Sequence, residues 1–336
     1  MSRKIVIRAD GNRNIGIGHI TRCLYFIENL QENFKIIFCF IKNSLIKDFL
    51  LSHNQLTCEL ESGVSLEQEL DTLSDFSSDK VILDIRNRSD DYYRRYSETF
   101  ENILRFDDSD KSINIYSNLY LNYNLYSENI NFNIINKENK LFLGPKYYIL
   151  NPIFRKFEES KRFFQSKQKK ILISMGGGDP KNLTIKITKA IINLEDIHLI
   201  IILGGLFKNY KEIESLKNEN PRKITIYYNI NNMPELMFES DIIIGTGGNI
   251  SFEAAYMGVP GILINQIELQ NQNGIRYEQK GIFKNGGLGE NLLELDIRNL
   301  VMHLIRSEDI RRKFSKNGRE LFKSEGLKEV IKEFLS

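Results

Sequence analysis

A histidine that directly follows a glycine-rich turn is the residue of this sequence best suited to acid–base chemistry. In RADGNRNIGIGHITRCL (residues 8–24), Gly16 and Gly18 precede His19, and apolar residues at helical spacing follow it. A helix that starts there points free backbone N–H groups and its positive dipole end into the turn. Such a turn binds anions and keeps a nearby imidazole neutral, which is the form that a general base needs. His19 is therefore a candidate catalytic base.

The neighbouring polar residues leave a structural alternative open. Asp10 follows a short apolar strand and Arg22 lies three residues after His19, so both join the candidate site. The same residues also suit a tight turn with a capping aspartate and a histidine at the helix start. Glycine turns of this kind are common in α/β proteins. The residues alone therefore do not decide between a catalytic and a structural role.

A second glycine turn, GTGGNISFEAAYMGVP (245–260), has the composition of a nucleotide-binding turn. An apolar strand enters it and a helix leaves it, so its backbone N–H groups can hold a diphosphate. The residues expected to present these groups are Gly247, Gly248, Asn249, Ile250 and Ser251. Glu253, near the start of the helix, is placed to bind two ribose hydroxyls, or alternatively only complements the helix dipole.

Two further polar segments follow predicted strands. In SMGGGDPKNLT (174–184), Gly176 and Gly177 either let a ligand approach the backbone closely or form a purely structural turn. Later in the chain, Asn271 and Gln272 supply side-chain amides. These amides either bind sugar or phosphate oxygens or simply begin a surface helix.

The composition argues against several classes of function. The chain has 336 residues, with 46 Lys and Arg against 44 Asp and Glu, so it indicates no basic surface for nucleic acid. Its 3 cysteines are scattered, which gives no zinc pattern and suits a reducing compartment. No apolar run reaches the roughly 20 residues of a membrane span. We expect a soluble, cytoplasmic protein without a membrane span.

Strands and helices alternate through both halves of the chain, which indicates an α/β fold with two parallel sheets. Strands are predicted at 4–8, 35–40, 80–84, 102–107 and 113–117, and again at 171–175, 198–203, 224–228, 241–245 and 261–264. The segment 112–140 is expected to contain one strand and then irregular loop. We expect an N-terminal Rossmann-like domain (1–155), a C-terminal one (156–320) and a terminal helix (321–336) that packs back on the first domain. The expected site lies in the cleft between the two domains.

Together these motifs resemble the UDP-2,4-diacetamido-2,4,6-trideoxy-β-L-altropyranose hydrolases of pseudaminic acid biosynthesis. That family is among the spore-coat-polysaccharide-type proteins and is related to the lipid II-forming N-acetylglucosaminyltransferase. The resemblance rests on residues 8–24, 142–152, 171–184 and 240–260, with LQNQ at 269–272, in that order. It implies a GT-B architecture of two Rossmann-like domains and a UDP-sugar substrate. It also implies hydrolysis with inversion, without a required metal ion or cofactor.

The resemblance assigns roles by position. His19 matches the catalytic histidine, residues 247–251 with Glu253 match the nucleotide-binding turn, and Asn271 with Gln272 matches an Asn-Gln pair of the family. On this basis His19 would activate water and the turn would hold the departing UDP. A glycosyltransferase with the same donor site, and a nucleotide-sugar binding protein without catalysis, are the alternatives.

The sequence departs from the family at two positions. Two residues after Asp84 the family has an aromatic residue, where this chain has Arg86. Phe252 stands where close relatives are expected to have Asn. We expect Arg86 to replace the aromatic by binding a carbonyl or carboxylate of the sugar. The sequence therefore leaves the identity of the sugar undefined, and it does not give the oligomeric state.

Overall fold

Two compact units make up the chain in the computed structural model, which describes residues 3–11, 17–30, 34–78, 80–323 and 325–336. The first unit comprises residues 1–152 and the C-terminal residues 324–336, and the second comprises residues 153–323. Each unit contains its own parallel sheet. Within the described ranges, no helix is long and apolar enough to cross a bilayer.

The first unit contains a main sheet of seven parallel strands and a separate pair of short strands. In chain order the strands of the unit are β1 (Lys4–Ala9), β2 (Lys35–Ile41), β3 (Leu56–Leu60), β4 (Lys80–Asp84), β5 (Ile103–Phe106), β6 (Asn114–Ile115), β7 (Leu119–Asn122), β8 (Asn133–Ile134) and β9 (Lys140–Leu143). The order in the sheet is β3-β2-β1-β4-β5-β7-β9, while β6 and β8 pair separately. The central strands β1 and β4 are apolar runs buried along nearly their whole length, as parallel strands covered by helices are.

Helices connect the strands of this sheet. They are α1 (Gly18–Ile27), α2 (Ser44–Ser52), α3 (Leu66–Ser74) and α4 (Asp90–Thr99). Asn43, Ser65 and Ser89 cap the last three through hydrogen bonds from side chain to backbone N–H. In contrast, α1 begins after Ile17 without a side-chain cap. Ile17 therefore does not cap α1 through its side chain as Asn43, Ser65 and Ser89 cap α2, α3 and α4.

The C-terminal helix, Glu325–Leu335, packs on the first unit although the second unit precedes it in the chain. The ring of Phe334 lies 5.7 Å from that of Phe26 in α1, in an edge-to-face arrangement. A Cβ at Gly326 would lie 2.1 Å from the carbonyl oxygen of Lys146, so this close contact requires glycine.

The second unit contains a parallel sheet of six strands. Its strands are β10 (Lys169–Ser174), β11 (Ile197–Leu203), β12 (Ile224–Tyr228), β13 (Ile242–Gly245), β14 (Gly261–Asn265) and β15 (Phe283–Leu288). The helices are α5 (Leu183–Ile191), α6 (Tyr210–Glu219), α7 (Met233–Glu239), α8 (Asn249–Tyr256), α9 (Glu268–Gln279), α10 (Glu294–Arg306) and α11 (Glu308–Leu321). The strand order is β12-β11-β10-β13-β14-β15. Most of the buried residues in its core are isoleucines, which come from both the strands and the helices.

The strand order of each sheet reverses beside its first strand. In the first sheet β1 lies between β2 and β4, and in the second β10 lies between β11 and β13. Ligands of parallel α/β sheets bind at such reversals, beyond the carboxyl ends of the strands. The turns that leave β1, β4, β10 and β13 are therefore where functional side chains are expected.

The predicted fold class, α/β with two Rossmann-like sheets, is confirmed. The prediction for residues 112–140 is wrong, because this segment contains β6, β7 and β8, and β9 begins at its end. The strand predicted at 113–117 contracts to β6, which lies outside the main sheet. These strands have two to four residues each, too few to show an alternating or apolar pattern.

Candidate active site

His19 and Asp84 form a hydrogen-bonded pair at the reversal of the first sheet. Parallel pairing of β1 with β4 brings Ala9 opposite Asp84, at the carboxyl ends of both strands. The chain then continues from β1 to α1, whose second residue is His19. Nδ1 of His19 lies 2.6 Å from Oδ1 of Asp84. The fold thus brings together an imidazole and a carboxylate that are 65 residues apart in sequence.

Arg22, one helical turn after His19, keeps Asp84 ionised. Its Nε and Nη2 donate to the two carboxylate oxygens, and its Nη1 donates to the Tyr123 hydroxyl at 3.0 Å. Burial by itself raises the pKa of Asp84. The charge of Arg22, with hydrogen bonds from Arg22 and His19, outweighs burial and lowers that pKa to about 2. Asp84 is therefore a buried anion at neutral pH.

The charge on Asp84 decides which ring nitrogen of His19 is free. An ionised carboxylate only accepts hydrogen bonds, so the contact requires a proton on Nδ1 of His19. Nη2 of Arg22 lies 3.1 Å from the same nitrogen, but a guanidinium only donates and so cannot accept that proton. Neutral His19 consequently has its lone pair on Nε2. A carboxylate-oriented imidazole of this kind removes a proton from a nucleophile.

A cleft of about 530 Å³ lies over this pair, and all its lining residues belong to the first unit. His19, Asp84, Asp10, Lys42 and Arg86 are among them. The volume is within the range of small-molecule sites. The cleft thus has room for a sugar-sized ligand next to the free nitrogen of His19.

Asp10 lines the cleft but does not cap α1. Its Oδ1 accepts hydrogen bonds from Nη1 of Arg8 at 2.7 Å and from the N–H of Ile41 at 2.8 Å. Arg8 is fully buried and also pairs with Glu69 at 2.9 Å. The capping alternative is therefore wrong, because Asp10 is bonded to β1 and β2 instead.

Arg86 also lines the cleft, but its guanidinium forms an ion pair with Asp108. The side chain is 52% exposed. Arg22 approaches the same carboxylate to 3.8 Å. A ligand that binds Arg86 must therefore compete with Asp108 for it.

Of the two glycines predicted beside His19, Gly18 lies in the described part of the chain. Gly18 is the first residue of α1, and a Cβ there would meet no atom of the described residues within 4 Å. Gly16 lies outside the described residues.

The turn between β13 and α8 offers fewer N–H groups than predicted. The N–H of Gly247 donates to Oδ1 of Asn265 at 2.8 Å, and that of Ser251 donates to the carbonyl of Gly248 at 3.0 Å. The expectation that both face a ligand is corrected, because these hydrogen bonds use them within the protein. The N–H groups of Gly248, Asn249 and Ile250, at the uncapped start of α8, are the ones left for an anion.

Glu253 has no hydrogen-bond partner among the described residues, although its side chain is only partly exposed. Burial raises the pKa of its carboxyl to about 8. In contrast, Phe252 packs into an aromatic cluster, with its ring 6.0 Å from Tyr277 and 5.5 Å from Phe322. The departure from the family at Phe252 therefore serves the core, whereas the Glu253 carboxyl has no partner in the part of the chain that the structure describes.

The turn after β10 is held by the protein itself. Gly176 has φ +90°, which favours glycine, and the carbonyl of Gly177 accepts from the N–H of Leu206 at 2.9 Å. Asp179 caps α5 by accepting from the N–H groups of Leu183 and Thr184 at 2.9 and 2.8 Å. These contacts are what the structural alternative requires, and ligand contact by Gly176 and Gly177 stays a prediction.

Asn271 and Gln272 lie on the first turn of α9, close to the turn after β13. A Cβ at Gly247 would lie 2.1 Å from the carbonyl oxygen of Gln270, so the two segments touch. Both amides donate to the carboxylate of Glu268. The expected amide pair is thus present, but its donors have an internal partner.

The structure groups the predicted residues by unit. In the first unit His19, Asp10, Arg22 and Arg86 share one region, and in the second unit the turn 247–251 adjoins the amide pair. Sequence reasoning missed Asp84 as the partner of His19. The available signal was its place at the end of a buried strand, next to the strand that leads to His19.

Comparison with known proteins identifies relatives over most of the chain. An uncharacterized protein of Methanocaldococcus jannaschii is 31% identical over 277 residues, which are 80% of this chain and 57% of that protein. A spore coat polysaccharide biosynthesis protein of Bacillus subtilis is 25% identical, over 96% of this chain and 94% of its own length. The UDP-2,4-diacetamido-2,4,6-trideoxy-β-L-altropyranose hydrolase of Campylobacter jejuni is 24% identical, over 83% of this chain and 97% of its own length.

Solved structures and a family model agree with the two-sheet fold. The crystal structure of MurG from Acinetobacter baumannii is similar with a TM-score of 0.72 at 14% identity, covering 99% of each chain. A UDP-glucosyltransferase from Polygonum tinctorium is similar with a TM-score of 0.68 at 12% identity, covering 100% of this chain and 99% of that one. The architecture is therefore GT-B, with two Rossmann-like domains.

The model of the glycosyltransferase family 28 C-terminal domain matches residues 153–330. Because this match covers more than half of the sequence, the chain belongs to the family of proteins with a glycosyltransferase family 28 C-terminal domain.

Proposed function

We propose that this protein hydrolyses a UDP-linked sugar at the bond between the anomeric carbon and the diphosphate oxygen. The observation that carries the proposal is the free Nε2 of His19, whose Nδ1 is held by the ionised Asp84 beside a cleft. The relatives support a nucleotide-sugar substrate, since one is named as a UDP-sugar hydrolase. They also support a role in polysaccharide or pseudaminic-type acid biosynthesis, with an amino-deoxy sugar as substrate.

In this proposal the first unit supplies the base. Nε2 of His19 takes a proton from water while the water oxygen attacks the anomeric carbon. The C–O bond to UDP breaks in the same displacement, so the sugar leaves with inverted configuration. The imidazolium that forms is stabilised by the negative charge of Asp84, which stays ionised because of Arg22. Arg22 and Asp84 therefore act through His19.

The second unit binds the nucleotide in this proposal. The N–H groups of Gly248, Asn249 and Ile250 and the positive end of α8 stabilise the diphosphate, whose charge grows as the bond to the sugar breaks. The unpaired carboxyl of Glu253 accepts hydrogen bonds from the ribose hydroxyls. Its lack of a protein partner is what supports this role.

A glycosyltransferase is the second candidate, because the family model is that of a glycosyltransferase domain. The same His19 would then activate an acceptor hydroxyl instead of water. Incubation with UDP-sugars and no acceptor separates the two activities. Release of UDP and free sugar at catalytic rates supports the hydrolase, and dependence on an acceptor supports the transferase. Binding of UDP without turnover on any substrate would instead support a binding protein.

The test of the base is His19→Ala, with His53→Ala as the matched control. His53 is exposed at the end of α2 and its ring packs on Phe49, 4.5 Å away. We expect His19→Ala to lower turnover by about 10²- to 10⁴-fold, the usual contribution of a general base. His53→Ala should leave turnover unchanged. Full activity of the His19 variant would overturn the assignment.

A further inference from the structure

A chain of side-chain amides connects the turn after β13 with the first turn of α9. Oδ1 of Asn265 accepts from the N–H of Gly247 at 2.8 Å, and its Nδ2 donates to Oδ1 of Asn285 at 3.0 Å. Nδ2 of Asn285 donates to Oδ1 of Asn271 at 3.1 Å. Asn271 then donates from Nδ2 to the carboxylate of Glu268, at 3.2 and 3.3 Å from its two oxygens.

Backbone groups determine the orientation of the first two amides in this chain, and these determine the third. A backbone N–H only donates, so the contact of Gly247 fixes the oxygen of Asn265. The N–H of Gly287 donates to Oδ1 of Asn285 at 3.2 Å and fixes the second amide in the same way. Asn271 must then turn its oxygen towards Asn285 and its nitrogen outward. Asn265 and Asn285 are therefore positioning residues for the donor face of Asn271.

Gln272 presents its donor to the same place as Asn271. Nε2 of Gln272 lies 2.5 Å from Oε1 of Glu268. Hydrogen bonds from Gln272 and Asn271 lower the pKa of the Glu268 carboxyl, so it is anionic at neutral pH. Both residues of the amide pair thus point their NH₂ groups at one exposed anion.

We propose that Glu268 occupies, in the free protein, the position on Asn271 and Gln272 that an oxygen of the ligand takes in the complex. The inference rests on the proposed function, because it concerns the same nucleotide-sugar site. The oxygen must be one that accepts hydrogen bonds, since the two amides present only donors there. A non-bridging phosphate oxygen and the carbonyl oxygen of an acetamido sugar both meet this requirement.

The location of the amide pair agrees with either source of the oxygen. The start of α9 touches the turn 247–251, whose free N–H groups suit a diphosphate. A group attached to the diphosphate therefore reaches Asn271 and Gln272. Before it can bind there, the carboxylate of Glu268 must leave, and its charge opposes the approach of a phosphate.

The experiment compares Glu268→Ala with the native chain by titration calorimetry. Glu278→Ala is the matched control, because it removes the same charge from α9 and Glu278 pairs with Lys284, at 2.5 Å, away from the amide pair. The probes are UDP, UDP-glucose and UDP-N-acetylglucosamine. We expect Glu268→Ala to bind about three- to tenfold more tightly, as expected when an exposed charged contact no longer competes. Glu278→Ala should leave the affinity unchanged.

The probes that bind more tightly to Glu268→Ala than to the native chain identify the ligand oxygen that contacts Asn271 and Gln272. A gain for all three assigns it to the diphosphate, and a gain for UDP-N-acetylglucosamine alone assigns it to the acetamido carbonyl. Equal binding by Glu268→Ala overturns the inference, and weaker binding overturns it by making Glu268 itself a ligand. If no protein binds any probe, the proposed function fails. The inference is then decided by the same comparison with inorganic diphosphate, whose oxygens are acceptors of the same kind.

Discussion

Replacement of Asp84 by asparagine is expected to abolish catalysis while preserving the shape of the site. The amide of Asp84→Asn keeps one oxygen for Arg22 but turns a donor towards Nδ1 of His19. His19 must then accept at Nδ1 and carry its proton on Nε2, where the lone pair is needed. We expect turnover to fall by about 10³- to 10⁴-fold, as when the carboxylate of a catalytic Asp–His pair is neutralised.

The same substitution also lowers stability, and the structure sets the size of the effect. The pKa of Asp84 falls from its ordinary value of 3.8 to about 2 in the fold. This shift corresponds to about 2 kcal/mol in favour of the ionised form. This contribution is present above pH 3.8 and is lost as the pH falls through 2. A neutral residue at position 84 loses it at every pH, which lowers the melting temperature by about 4–8 °C.

A double variant separates the two effects. Arg22 is 8% exposed, so Asp84→Asn leaves a buried cation without its main partner. Adding Arg22→Met removes that cation, and we expect the double variant to be more stable than Asp84→Asn alone but equally inactive. Turnover is measured as UDP release, and stability by calorimetric melting. An Asp84→Asn protein that is folded and retains turnover within threefold of the native value would refute the orienting role of Asp84.

Two other predictions concern the second unit. Burial raises the pKa of Glu253 to about 8, so its contribution to stability is largest below pH 4.5 and is lost as the pH rises through 8. Denaturant unfolding at pH 5 and pH 8.5 should therefore show a smaller loss for Glu253→Gln than for the native chain, and an equal loss would contradict the raised pKa. Gly247→Ala should reduce both the melting temperature and UDP affinity, because its Cβ would lie 2.1 Å from the carbonyl oxygen of Gln270. Gly205→Ala is the control, since its nearest neighbour would be 3.8 Å away, and equal effects of the two substitutions would show that packing is not the cause.

The sequence was sufficient for the main framework of the fold. The strands Lys80–Asp84 and Ile224–Tyr228 were predicted with their observed bounds. The first is a continuous apolar run buried on both faces, and the second consists of β-branched and aromatic residues. The strand β15, with the sequence FKNGGL, was missed because glycine and asparagine are typical of loops. Its pairing with β14 depends on neighbours in space, which a local pattern does not contain.

The candidate site could be predicted only in part. His19 was found from its position after a glycine turn, whereas its partner Asp84 depends on the pairing of β1 with β4. The use of the Gly247 N–H by Asn265 was not predictable either, because it joins residues 18 apart on neighbouring strands and turns. In each case the residue type was visible in the sequence, but its hydrogen-bond partner followed from strand order.

Hydrolysis in ¹⁸O-labelled water, without any acceptor, tests the central claim most directly. The substrate is UDP-2,4-diacetamido-2,4,6-trideoxy-β-L-altropyranose or a related UDP-linked amino-deoxy sugar, and the products are analysed by mass spectrometry. If His19 activates water for attack on the anomeric carbon, the label enters the anomeric hydroxyl of the free sugar and UDP stays unlabelled. Label in the phosphate of UDP, or turnover only after an acceptor is added, would contradict the account.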